Sequence, residues 1–192
     1  MRKYIFILSA LLFLTSISCK TEAKSEQEAS GAAPVTEANE HRGQAAVEDN
    51  VSDANALQVA KSLDDFKTLV VAIEAAGVED AVVNAGPLTI FAPLNSAFDK
   101  LPEGTVESLL KPENKSQLAY ILVNHVAPAN YPVKQLTKEA AKGRKLYMAS
   151  GKYLDVENRD GEIYVGGTKI LKTVQVSNGW IHVIDDVIVP AE

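Results

Sequence analysis

Cysteine is nearly missing from this chain of 192 residues: Cys19 stands alone and none follows it. A disulfide framework is excluded, as is a thiolate metal site further along the chain. Histidine is scarce too, with three in all. None falls in a His-Glu-x-x-His spacing and no Asp-x-Asp-x-Asp run occurs, so no ligand set for a metal emerges and no cofactor is expected. There is no Gly-x-Ser-x-Gly elbow for a nucleophilic serine, and Gly166-Gly167 lacks the Lys-Ser/Thr of a phosphate-cradling loop. Basic residues are outnumbered, 19 against 25, and the formal net charge is −6. A nucleic-acid partner would want a clustered basic face, so none is expected. No short-period repeat appears.

What is present begins with a leader. Arg2 and Lys3 precede an apolar run from Tyr4 to Leu14, too short for a permanent membrane span, and then Thr15-Ser16-Ile17-Ser18-Cys19. Small Ser18 directly before the lone cysteine resembles a bacterial lipoprotein cleavage box, with Ser16 where an aliphatic residue is usual. The resemblance implies a signal peptide over residues 1–18, lipidation of Cys19 with acyl chains such as palmitate, and a body fixed to the bacterial envelope membrane, at the outer membrane's periplasmic face or the cell surface. Each buried CH2 contributes ~0.8 kcal/mol, so two or more chains hold firmly where one holds marginally. Residues 19–52 form an acidic segment rich in Ala, Glu and Ser, with no aromatic and few large aliphatics. Such a composition buries too little apolar surface to offset ordering entropy, so it is expected to act as a tether.

Residues 53–192 are expected to form one globular domain. Asp64 is placed to cap a helix in which Phe66, Leu69, Val70 and Ile73 recur at helical spacing, with Gly77 as its stop. A short helical piece over Val78 to Val83, a strand at Leu88, short helices about Leu101 and Val106, and an amphipathic segment from Lys115 to Asn124 follow. Past Pro128 the period turns from helical to alternating. Lys152 to Asn158 and Glu162 to Val165 flank Arg159-Asp160-Gly161 as a hairpin, with Leu154, Val156, Ile163 and Val165 facing the core. Gly166-Gly167 marks the next turn and Asn178-Gly179 another. The apolar run from Trp180 to Val189 reads as a strand covered on both faces. Helices first and strands later give an α+β domain.

Three ordered segments carry more. In Thr89-Ile90-Phe91-Ala92-Pro93-Leu94-Asn95-Ser96-Ala97-Phe98, a buried strand meets a proline that cannot donate to a ladder, then Asn95 as cap of a helix holding Ala97, Phe98 and Leu101. This order resembles the first signature of the fasciclin-type domain, with Leu94 in place of a small hydroxyl residue. Leu122-Val123-Asn124-His125-Val126-Ala127-Pro128 resembles the family's middle motif, with Asn124 where tyrosine is usual. Asn178-Gly179-Trp180-Ile181-His182-Val183-Ile184-Asp185 resembles the closing one. The resemblance implies a wedge-shaped β-sandwich of about seven strands with several helices packed along one side. It also implies that His125 is a structural, hydrogen-bonding histidine near an adhesion surface.

The residues themselves leave little room for catalysis. His125 follows Leu118, Ile121 and Leu122 on one apolar stripe, which argues for burial with a satisfied ring. His182 lies near Asp185 and Asp186, but Ser177 and Ser150 lack any activating signature. Trp180, at a strand entrance, suits glycan stacking or protein contact, or else covers the end of the core. The reading is a non-enzymatic, membrane-anchored binding or cell-adhesion module with a glycan or protein ligand at the cell surface. The alternative is an envelope-structural or stress-associated lipoprotein without an external ligand.

Overall fold

A computed structural model describes residues 54–190; the expected leader, Cys19 and the tether lie outside the described residues. Seven helices are present there: α1 Ala56–Lys61, α2 Lys67–Ala76, α3 Glu79–Val83, α4 Asn95–Phe98, α5 Thr105–Leu109, α6 Lys115–Val123 and α7 Val133–Ala141. The strands are β1 Leu88–Pro93, β2 Val126–Ala127, β3 Lys145–Tyr147, β4 Tyr153–Arg159, β5 Glu162–Val165, β6 Thr168–Val176 and β7 Gly179–Ile184. They form one ladder in the order β2-β1-β7-β6-β5-β4-β3. Every neighbouring pair is antiparallel except β1 and β7, which run parallel in register from Leu88↔Gly179 to Pro93↔Ile184. The ladder bends round until its ends approach, and Ala149 N just past β3 donates to Val126 O of β2 at 2.7 Å.

Alternation along the two central strands builds two cores. Leu88, Ile90 and Ala92 of β1, with Ile181 and Val183 of β7, face α1, α2, α3 and α6. Phe91 and Ile184 point the other way, into a second core with Leu146, Leu154, Val156, Ile163 and Val165 from β3, β4 and β5. This is why β1 is buried at all six positions. The fold is α+β, as the sequence implies, with α1, α2, α3 and α6 covering one face of the folded sheet and α7 packed into the core on the other. β6 joins both halves. It pairs with β5 at Thr168 and Lys169 and with β7 from Ile170 onward, and its register slips between Ile170 and Lys172. A bulge lets one strand turn such a corner.

The hairpins follow their turn residues. Asp160 and Gly161 both take positive φ, 53° and 89°, between paired Arg159 and Glu162. Two left-handed residues match the twist of the flanking strands. Leu154, Val156, Ile163 and Val165 are all buried as the alternation requires.

Several local expectations give way. Asp64 caps nothing. Its carboxylate pairs with Lys67 at 2.9 Å, Asp64–Phe66 form a 3-10 turn, and α2 begins at Lys67. Asn95 does not cap its own helix either, since Leu94 occupies that place and α4 ends at Phe98 without reaching Leu101. Asn95 instead reaches back to α2, accepting from Thr68 N at 3.0 Å and donating to Asp64 O at 2.8 Å. Pro93 is the last residue of β1 rather than a break before it ends. The Trp180–Val189 run is strand only to Ile184. The alternating period expected past Pro128 is interrupted by α7, whose Leu136 and Ala140 close the second core. α1 goes beyond these expectations: Asn55 and Gln58 exchange side-chain and backbone bonds at 3.0 and 2.9 Å, the reciprocal box that marks a helix start.

Candidate functional site

The three signature segments converge on the β1–β7 pair and the elements next to it. Thr89 is fully buried and clamps the loop after β2: its hydroxyl donates to Ala129 O at 2.8 Å and accepts from Tyr131 N at 2.9 Å. Phe91 lies two residues on, its ring stacked with His182 at a centroid distance of 5.4 Å. Pro93 is buried at the strand end, and Phe98 packs half-buried against the helix-side core.

Both histidines are engaged through both ring nitrogens. His182 Nε2 lies 2.7 Å from Tyr131 O, and a carbonyl only accepts, so this nitrogen carries the proton. Nδ1 is left to accept from the Thr173 hydroxyl at 2.9 Å. His125 shows the opposite tautomer. Nδ1 donates to Ile121 O at 2.8 Å, and Nε2 accepts from Ile188 N at 2.9 Å, fastening the segment after β7 to the end of α6. Burial pushes the His125 ring down to about 4, against a smaller upward pull from the Ile121 carbonyl. Burial lowers His182 as well, opposed by the Tyr131 carbonyl. Both rings are therefore neutral near pH 7.

Asn124 is fully buried in the position beside His125. Its amide oxygen accepts from the Ser150 hydroxyl at 2.7 Å, and its amide nitrogen faces Ile188 O at 3.5 Å. Asn178 joins three elements, accepting from Ala56 N at 3.1 Å and donating to Val82 O at 2.9 Å and Asn84 O at 3.2 Å. Gly179 opens β7 with φ 143° against the backbone of Leu88. Trp180 is half-buried, in register with Thr89 and Gln175. Asp185 turns away from His182: it accepts from Lys169 N at 3.2 Å and lies near Lys100, whose ammonium also donates to its backbone carbonyl. The side chains of Thr89, Asn95, Asn124, His125, Asn178, His182 and Asp185 are thus spent on this chain's own backbone and on Ser150, Thr173 and Lys100. Among the described residues no group of three or more His, Cys, Asp or Glu is placed to hold a metal ion.

The outward side of the β3–β4–β5 face is different, and no sequence motif pointed to it. Tyr147 and Tyr153 oppose each other across β3 and β4, 48% and 62% exposed, with ring centroids 5.3 Å apart. Lys145 and Asp155 pair beside them at 3.0 Å, and the Arg159 guanidinium lies 4.4 Å from the Tyr164 ring centre. The alternation that turns Leu154 inward turns Tyr153 outward, so the signal was present in the strand period.

A fasciclin domain model matches residues 64–190. The chain is 43% identical to Protein sll1483 of Synechocystis sp. over 135 residues, 70% of this chain and 72% of that one. It is 34% identical to Immunogenic protein MPB70 of Mycobacterium bovis over 114 residues, 56% of this chain and 52% of that one. Transforming growth factor-beta-induced protein ig-h3 of Sus scrofa shares 30% identity over 138 residues, 71% of this chain but 19% of that longer protein. Among solved structures, a FAS1 domain pair from the insect cell adhesion molecule fasciclin I aligns at a TM-score of 0.46 and 20% identity, over 65% of this chain and 45% of that one.

Proposed function

This chain belongs to the fasciclin domain family, and from that membership we propose that it is a non-enzymatic binding or cell-adhesion module held at a bacterial envelope membrane through lipid on Cys19. The inward engagement of the signature side chains supports this most directly. Each ring nitrogen of His125 and His182 already has a partner within the fold, so neither ring has one to offer a substrate. Contact then falls to the exterior. The paired Tyr147 and Tyr153, beside Lys145 and Asp155, combine apolar ring faces with donors and acceptors, a combination that suits a glycan or a protein epitope. Anchoring adds to a modest contact by raising local concentration and allowing several copies to engage at once. The leader sequence and the single cysteine support the anchor.

Two variants test the two halves of this reading in a bacterial host. Cys19→Ala is expected to move the exported protein from the membrane pellet to the soluble fraction; pelleting after a high-salt wash would place the anchor elsewhere. In a binding screen against glycans, matrix proteins and purified envelope components, Tyr147→Ser with Tyr153→Ser is expected to weaken a saturable hit at least about tenfold, the scale of losing an aromatic anchor. Both tyrosines are exposed, so the thermal midpoint should hold. A uniform blank for the parent protein would instead favour an envelope-structural lipoprotein without an external ligand.

A further inference from the structure

A cavity of about 310 Å3 separates the first two helices from the sheet, and none of the signature residues with polar side chains lines it. Its floor is the helix-facing side of β1, β7 and β6, at Ile90, Ile181 and Val174; its roof is Ala60 of α1 and Leu69 of α2. Among the described residues no buried polar side-chain atom lacks a hydrogen-bond partner, so nothing in the lining calls for water. A water there would not find the two to four polar partners it needs. Apolar space without contacting atoms weakens a fold in proportion to its volume, and this volume reaches the lower end of small-molecule pockets.

The bulge in β6 gives the cavity a mouth. Ile170 packs into the second core and the register slips directly after it, so Leu171 and Lys172, adjacent in the chain, both line the cavity. In a regular strand they would face opposite sides. Leu171 is 48% exposed and Leu63, also in the lining, 44%, which leaves two leucines in water at the rim. The Lys172 ammonium pairs with no carboxylate among the described residues. The other charged residue of the lining, Asp65, belongs to the turn before α2 and disfavours an anionic group on its own side.

We propose that this cavity binds one unbranched long-chain carboxylate, its acyl chain lying along β1, β7 and β6 and its head group meeting Lys172 at the bulge. A flexible aliphatic chain fits better than a rigid polycycle. Apart from the Phe66 ring the interior presents aliphatic side chains, with no polar group to orient a ring system, and the floor follows β1 from Ile90 past its end to Leu94, roughly 13 Å of extended chain. The charge at the rim selects an acid over an alcohol of equal length. The site is independent of the outer tyrosine face and stands whether or not that face has a partner.

The test uses the full chain carrying Cys19→Ala, which needs no detergent, with cis-parinaric acid as fluorescent probe and the saturated acids from octanoate to stearate as competitors. Saturable one-to-one binding is expected, with displacement strengthening along the series. Lys172→Gln is expected to weaken palmitate about tenfold while leaving hexadecanol unchanged, the share of a charge-assisted contact at an exposed rim. Ala60→Phe fills the roof and Leu171→Glu puts a charge in the mouth; each is expected to abolish binding of both. Leu171 is half-exposed, so its variant should keep the parent's circular dichroism and melting curve even if Ala60→Phe does not fold. Absence of saturable binding, displacement unaffected by Leu171→Glu, or equal weakening of acid and alcohol by Lys172→Gln would each overturn the proposal.

Discussion

Replacing Gly179 with alanine is expected to stop the domain from reaching its native state. A Cβ on Gly179 would lie 1.8 Å from Leu88 O, 2.8 Å from Leu88 C and 2.9 Å from Leu88 N. All three are backbone atoms, and that backbone is not free to retreat, because Leu88 N donates to Asn178 O at 2.9 Å and opens the parallel ladder between β1 and β7. Across the same crossing, a Cβ on Gly86 would stand 2.4 Å from Asn178 O, so the two chain segments touch main chain to main chain. The φ of 143° adds strain for any L side chain. Relieving the overlap means separating the two strands on which both cores rest, and a loss beyond about 4 kcal/mol is expected. Domains are stable by about 5–15 kcal/mol, so little or no folded protein should remain. Gly167→Ala is the control. It also has positive φ, 83°, but nothing lies within 4 Å of its added carbon, and it should cost only about 1–2 kcal/mol. Urea unfolding of both variants decides; similar midpoints would show that the close approach at Leu88 does not matter.

Acidification from pH 6.5 toward 4 should weaken the fold by on the order of 3 kcal/mol through His125 alone. The folded ring titrates at about 4 against an ordinary 6.5, so in that interval the unfolded chain binds the proton that the native state refuses. Stability from this group is complete above 6.5 and is lost as pH falls through the interval. His182, also lowered by burial, acts in the same direction. The carboxylates do not confuse the upper part of the window. Asp64 and Glu162 are lowered by Lys67 and Lys169, so their stabilisation fades only as pH falls below their ordinary values of 3.8 and 4.5. Protonating His125 also puts a second N–H on the ring where Ile188 N already donates. Urea midpoints at pH 7.5 and 5 should therefore diverge for the parent and much less for His125→Gln, which is weaker at pH 7.5 but has no ring to titrate. Equal pH sensitivity of the two proteins would remove His125 from the account.

The strand half of the fold was readable because its signals are local. Asp160-Gly161 and Gly166-Gly167 announce turns, and period-two alternation places Leu154, Val156, Ile163 and Val165 inside. His125 was recognisable as buried from the stripe it shares with Leu118, Ile121 and Leu122. Its hydrogen-bond donor was not, since Ile188 lies 63 residues away in the chain. The same distance effect hid the real task of Asn95, whose partners are Asp64 and Thr68, and left a cap on its own helix as the natural local guess. α7 was obscured by its polar composition: Lys134, Thr137 and Lys138 are exposed, and its buried edge sets Glu139 beside Leu136 where the helical pattern would want an apolar residue. The two-residue β2 carries no period at all. The cavity over β6 depends on a slip of register, which no pattern in the residues from Ile170 to Lys172 announces.

The parallel pairing of β1 with β7 also fixes when this protein can fold. Phe91 and His182 stack at the centre of the sheet, yet the chain is made from one end, and a nascent polypeptide that stops before residue 184 holds the first central strand without the second. Neither core closes until nearly the last residue of the domain has been added, and contacts of such long sequence separation form slowly. Until then the helix-facing side of β1 has no β7 beside it, and Ile90 and Ala92 lack Ile181 and Val183 as neighbours.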